Sequence, residues 1–141
     1  MNYILWIALD KDIQTKIGKL GRINFKRGVY FYVGSAKKNF HARIKRHLVK
    51  KKRVFWHIDY LVSLNDAKIK QVWITSKDKE CEIAQFLYRK GYRFINRFGS
   101  SDCHCPSHLF FVNKGTGRAQ GLLKATGFIK YADKDYCRWF D

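Results

Sequence analysis

The chain has 141 residues, 46% hydrophobic and 16% aromatic, which suits one domain with a real core and excludes a disordered polypeptide. There is one proline, and no repeat or low-complexity tract. The formal charge of +18, from 29 Lys and Arg against 11 Asp and Glu, speaks of partners rather than fold. Nucleic acid leads, with an anionic membrane surface or an acidic RNA–protein assembly as the alternatives.

The opening run, Met1 to Asp10, is apolar but far shorter than a membrane span and lacks a basic leader. Residues 3–9 read as a buried strand. Lys11 to Arg27 is a turn-rich basic connection, with Gly18 and Gly21 between short apolar runs, and suits a small hairpin or loop. From Gly28 to Gly34 the residues alternate. Val29, Phe31 and Val33 share the apolar side; Gly28, Tyr30, Tyr32 and Gly34 share the other, with two phenols and a glycine-bared backbone. The chain then runs through Ser35 into a helix of about 39–50. Asn39 is the expected N-cap, and Phe40, Ile44 and Leu48 form a buried stripe. Arg43, His47 and Lys50 line the next stripe, with Lys45, Arg46 and Lys52 further round. The run Lys50, Lys51, Lys52, Arg53 closes this helix. Part of it can serve the helix dipole, but four cations exceed what the dipole needs and point to an anionic partner.

Phe55 to Val62 fits both a helix and a strand, and helix is favoured. A third strand covers Ile69–Thr75. Asp78 is placed to cap a helix over about 79–90, ended by Arg89, Lys90 and Gly91. Tyr92–Ile95 suits a short strand, Asn96–Ser107 a loop, His108–Val112 another strand, and 118–125 a short helix before an extended end. Nothing resembles a linker, so one domain spans 1–141, with a core of about 3–112 and an extension from 113. The four cysteines form no secreted disulfide framework, so reduced thiols and a cytoplasmic, nucleoid-associated location are expected. Cys103, Cys105 and His108, with Cys81 far away in sequence, invite a zinc reading. One residue between Cys103 and Cys105 is shorter than zinc sites prefer, and zinc is not favoured.

Several of these segments together resemble the GIY-YIG nuclease superfamily: Tyr32-Val33-Gly34, Arg43 and His47 four residues apart on a helix, His57, and a helix-borne acid. The longer series is similar to a branch whose members occur alone or fused to endonuclease III-type DNA repair enzymes. It adds Trp56 to Leu61, Glu80-Cys81-Glu82, Phe98 to Cys105 and Ser107 to Phe110, so that the resemblance runs from about Tyr3 to Phe111. Either Gly28-Val29-Tyr30 or Tyr3-Ile4-Leu5 stands for the leading triplet. A single residue between the first option and Tyr32 leaves no room for a turn, so Tyr3-Ile4-Leu5 is preferred. The leading glycine is absent there, and Tyr30 stays a competitor.

The resemblance implies an α/β (α+β) domain with a small, mainly antiparallel sheet flanked by helices. It also implies divalent-metal-dependent hydrolysis of DNA phosphodiesters, with a place in DNA repair. Glu80 would hold Mg²⁺ or Mn²⁺, with Glu82 as runner-up; Arg43 would bind the phosphate oxygens. Tyr32 or Tyr3 would position water or act as base. His47 would orient a tyrosine or move a proton, with His57 second; Asn96 or Asp102 would reach the cleft from the loop. Lys45, Arg46 and Lys50 to Arg53 would meet DNA, or RNA. A DNA-repair protein partner would supply specificity that so short a domain lacks. The alternative is a non-catalytic nucleic-acid-binding module on the same fold.

Overall fold

The computed structural model describes residues 1–77, 80–112 and 116–131. Strand β1 (Asn2–Leu9) is buried along nearly its whole length, as an unbroken apolar run demands. Tyr3, Leu5, Ile7 and Leu9 enter one core cluster, and Ile4 and Trp6 enter another. Strands β2 (Ile13–Lys16) and β3 (Arg22–Phe25) form the expected side hairpin. Strand β4 (Gly28–Ser35) returns antiparallel to β1, in register from Asn2↔Ser35 to Leu9↔Gly28.

Helices α1 (Phe40–Leu48) and α2 (His57–Val62) cover one face of the sheet. Strand β5 (Ala67–Thr75) joins the free side of β1. Helix α3 (Glu80–Arg89) packs on the opposite face through Ile83, Ala84 and Leu87. Strands β6 (Arg93–Phe94) and β7 (Leu109–Val112), helix α4 (Thr116–Ala125) and strand β8 (Ile129–Lys130) complete the described elements. The six-stranded order is β6-β7-β4-β1-β5-β8, antiparallel at every pairing. The fold is therefore α+β, with helices on both faces of an antiparallel sheet. No helix among the described residues is long and apolar enough to cross a membrane.

Two local expectations need correction. Asn39 precedes α1 in a left-handed conformation (φ 52°, ψ 52°) and makes no side-chain cap hydrogen bond. Asparagine is there because it tolerates that backbone, not because it caps. The second concerns β4. Its glycine side is covered, not bare. A Cβ on Gly34 would sit 2.4 Å from Tyr3 Cζ, and one on Gly28 2.7 Å from Phe111 Cε1. Both glycines make room for aromatic rings. Asp78 lies outside the described residues, as does the chain beyond 131.

Gly91 ends α3 as anticipated, at φ 87°, with Tyr92 N–H donating to Leu87 O at 3.4 Å. The Phe55–Val62 ambiguity resolves as helix because Asp59 supplies a cap. Its carboxylate accepts from the backbone N–H of Phe55 at 2.9 Å and of Trp56 at 2.8 Å, satisfying donors that would otherwise be orphaned at the start of α2.

Candidate functional site

The β1–β4 register puts Tyr3 directly across from Gly34. The ring folds over the glycine, and its Oη lies 2.8 Å from His47 Nε2 of α1. Gly34→Ala would push the ring off β4 or bend the strand, and so break the Tyr3–His47 hydrogen bond. We expect it to cost about 1–3 kcal/mol of stability in a urea melt.

One turn before His47, Arg43 donates Nη1 to Ser35 O at 3.1 Å, and its guanidinium carbon lies 4.4 Å from the Trp56 ring centroid. Ser35 Oγ donates to Glu80 Oε2 at 2.8 Å. His108 Nδ1 lies 3.1 Å from Glu80 Oε1 and 3.1 Å from Val33 O. A strand-borne phenol, a helix-borne guanidinium and the carboxylate that opens α3 thus gather at one end of the β1–β4 pair. Tyr32, two residues before Gly34, joins them electrostatically: its phenol feels Tyr3, Glu80 and Arg43. It also lines a cleft with Trp56, His57, Gly99 and Asp102, and Phe55, 77% exposed, stands in the same cleft.

Charge at the site follows from burial and neighbours. Burial pushes both phenols, Tyr3 and Tyr32, well above their ordinary range; Arg43 opposes this only in part. Burial, with the Lys52, Arg43 and Arg46 cations, holds His47 down at about 3, so its imidazole is neutral at ordinary pH. That favours holding Tyr3 over carrying its proton. Burial would raise the Glu80 carboxyl, but hydrogen bonds from His108 and Ser35, with the Arg43 charge, outweigh it and leave it below the usual carboxylate value. Glu80 is therefore ionised near neutrality.

An ionised, partly exposed carboxylate with one lone pair left on each oxygen is a fitting hard-oxygen ligand for Mg²⁺ or Mn²⁺. The residues present fit that group.

The model of a family described as a domain of unknown function, DUF123, matches residues 2–127. The chain belongs to the DUF123 family. No curated protein and no solved structure matches it. The DUF123 match contains every residue of the cluster, from Tyr3 to His108, and the side hairpin and α4 as well.

Other candidates lie elsewhere in this DUF123 domain. Tyr30 is buried among Phe25 and Phe111 and donates its hydroxyl to Lys26 O at 2.7 Å, with burial pushing it up to about 12. It is a packing residue. Glu82 is exposed and lines a separate cleft with Lys77, Phe86 and Arg89; two helical positions turn it away from Glu80. Asn96 is exposed in the turn after β6 and makes no polar contact with the cluster among the described residues. His57 and Asp102 do reach the Tyr32 cleft. His57 Nδ1 accepts from Gly99 N–H at 2.9 Å, which leaves Nε2 the protonated nitrogen of the neutral ring.

The expected DNA-contacting run is divided by structural duty. Arg46 forks onto Asp59, Nη1 to Oδ1 at 2.6 Å and Nη2 to Oδ2 at 2.8 Å. Lys50 Nζ donates to Val62 O at the end of α2, to Leu64 O just beyond it and to Ala67 O at the start of β5. Lys52 Nζ donates to Arg46 O at 2.7 Å and His47 O at 3.0 Å at the end of α1. These three cations satisfy helix-end carbonyls or a buried acid, so each has a structural duty within the fold. Lys45, Lys51 and Arg53 have exposed side chains.

Sequence reading gave no role to Ser35, Asp59 or Trp56. Ser35 sits one residue past the Tyr32-Val33-Gly34 triplet, where a hydroxyl at a strand end could have signalled it. The signal for Asp59 was an acid three residues into a helix after a basic one.

Proposed function

We propose that this chain is a divalent-metal-dependent endonuclease of the GIY-YIG type that hydrolyses DNA phosphodiesters, with a role in DNA repair on the nucleoid. The observation that carries the reading is the meeting of Tyr3, Tyr32, Arg43 and Glu80 at one end of β1 and β4. The pairing of Tyr3-Ile4-Leu5 with Tyr32-Val33-Gly34 is what the superfamily resemblance calls for.

The chemistry follows from the residues. A diester repels nucleophiles with its own anionic oxygens and expels a poor alkoxide. Arg43, held by Ser35 O and stacked on Trp56, presents its remaining N–H groups to non-bridging oxygens. Glu80, pinned by Ser35 and His108, offers its remaining lone pairs to the cation. A bound Mg²⁺ or Mn²⁺ would neutralise phosphate charge and favour departure of the alkoxide. Tyr32, at the cleft, is better placed than buried Tyr3 to orient water; Tyr3 and His47 form the wall behind it. Phe55, exposed beside Trp56, offers a face on which a base can stack.

The test is a nicking assay with Mg²⁺ or Mn²⁺ on supercoiled, flap, bubble and damaged DNA. The wild type should nick at least one, and Glu80→Ala should not.

A second reading, a nucleic-acid-binding module without catalysis, draws on the burial that pushes both phenols up and keeps them protonated near neutrality, with no phenolate to take a proton from water. Under either reading, binding should weaken steeply with salt. Lys51→Ala or Arg53→Ala should each lower the slope of log affinity against log salt by about 1. Lys50→Ala should lower stability and leave the slope alone. Equal slopes for all four proteins would remove the basic run from the interface.

A further inference from the structure

Beyond the Glu80 cluster, three sulfurs and one nitrogen converge. Cys81 in the first turn of α3, Cys103 and Cys105 in the loop after β6, and His108 immediately before β7 bring their ligand atoms within 4.8 Å of one another. We infer that Cys81, Cys103, Cys105 and His108 form a structural zinc site. The inference does not rest on the nuclease reading.

The chemistry of the set selects the metal. Three thiols and an imidazole are soft donors that suit tetrahedral zinc, and an oxygen-seeking ion such as Mg²⁺ would find none of its preferred ligands here. Tetrahedral bonds of about 2.3 Å to sulfur and about 2.0–2.1 Å to nitrogen separate ligand atoms by roughly 3.5–3.8 Å. The gap between Cys103 Sγ and His108 Nε2 is 3.3 Å, and the whole set lies within 4.8 Å, so small side-chain adjustments suffice. All three cysteines are free thiols.

The histidine is oriented for the task. His108 is 1% exposed, and its Nδ1 faces Glu80 Oε1 and Val33 O, both acceptors. That places the ring proton on Nδ1 and leaves Nε2 unprotonated, its lone pair accepting from the Cys103 thiol at 3.3 Å and available to a metal that displaces the thiol proton. A carboxylate behind a ligating imidazole is the usual outer arrangement of zinc sites. Sequence spacing argued against zinc because Cys103 and Cys105 are so close in the chain. The fold brings in the distant ligand: Cys105 Sγ donates to Cys81 O at 3.9 Å, 24 residues away, and the Cys81 sulfur joins the set.

The site would fasten a loop with little secondary structure to α3 and β7. It would also fix the imidazole that steadies Glu80. One soft-metal centre would then stand directly behind a hard-oxygen one, joined through His108.

The experiment measures metal in the full chain, purified without chelator from zinc-supplemented medium. Elemental analysis should find about one zinc per chain. Cys103→Ser and Cys81→Ser should lower occupancy at least tenfold, while Cys137→Ser leaves it unchanged. Cobalt added to metal-stripped wild type should give the visible bands of a tetrahedral thiolate site, a readout that needs no variant to fold. Glu80→Ala should keep the site but weaken zinc about 10–100-fold in a chelator competition. Protein with no bound zinc and no cobalt bands overturns the assignment. So does stoichiometric iron in place of zinc, a disulfide among these cysteines, or zinc that follows Cys137. Nicking enters none of these readings, so a failed nuclease assay leaves the zinc inference standing.

Discussion

Asp59→Ala should destabilise the fold by about 3 kcal/mol, the low end for breaking a buried ion pair because Arg46 keeps 30% side-chain exposure. In a thermal melt this is a fall on the order of 10 °C for a chain of this size. The Asp59 side chain has no solvent exposure and collects four donors: Arg46 Nη1 and Nη2, Phe55 N–H and Trp56 N–H. Alanine would remove the shared acceptor of all four at once, leaving Arg46 only its Nη2 bond to Arg53 O, and would uncap α2 and loosen the guanidinium that lies 4.6 Å from the Trp56 ring centroid. Replacing both partners by apolar residues should recover much of the loss, since the main penalty is the unpaired charge. A loss below about 1 kcal/mol would mean that Asp59 does not anchor α1 to the start of α2.

The same acid predicts a pH dependence. Burial would raise the Asp59 carboxyl, but Arg46 and the Phe55 and Trp56 N–H groups outweigh it and hold it below its ordinary value. Its unfolded value is about 3.9, so the unfolded chain binds the proton more readily. The contribution is therefore complete above about pH 4 and is lost as pH falls through the lower folded value. Stability curves of wild type and Asp59→Ala should converge in acid.

What the sequence disclosed and what it hid divide along a physical line. Alternation in β4, the Phe40/Ile44/Leu48 stripe and Gly91 are local signals, and they yielded strand, helix and stop. Pairing of β1 with β4 was implied by the superfamily resemblance, and the single residue between Gly28-Val29-Tyr30 and Tyr32, too short for a hairpin turn, only chose which triplet leads. Contacts across the fold were harder to see. Lys50 and Lys52 look like solvent cations in a basic run until the carbonyls at the helix ends are in place. Gly34 looks like bared backbone until Tyr3 is laid over it. Glu80 and Glu82 are equal as letters, and only the helical turn between them sets one beside Ser35 and His108 and the other in a cleft with Lys77 and Arg89. Cys81 and Cys105 meet only because α3 and the loop share one end of the sheet.

Glu80→Gln should lower the nicking rate by about 100–1,000-fold, or about 3–4 kcal/mol of transition-state stabilisation. Glutamine keeps the length and nearly the shape of the side chain, and its carbonyl can still accept from Ser35 or His108. What it lacks is the charge that, under the proposed nuclease reading, would hold a divalent cation. The loss should fall on the rate at saturating DNA. Binding affinity should stay near wild type, because cations, not carboxylates, meet the phosphate backbone. Ser35→Ala is the graded comparison. It removes one hydrogen bond to Glu80 while leaving the charge, and should cost about tenfold. A wild-type rate in Glu80→Gln would separate cleavage from this carboxylate. A large loss in Ser35→Ala beside a small one in Glu80→Gln would make the hydroxyl, and not the acid, the reacting group's neighbour.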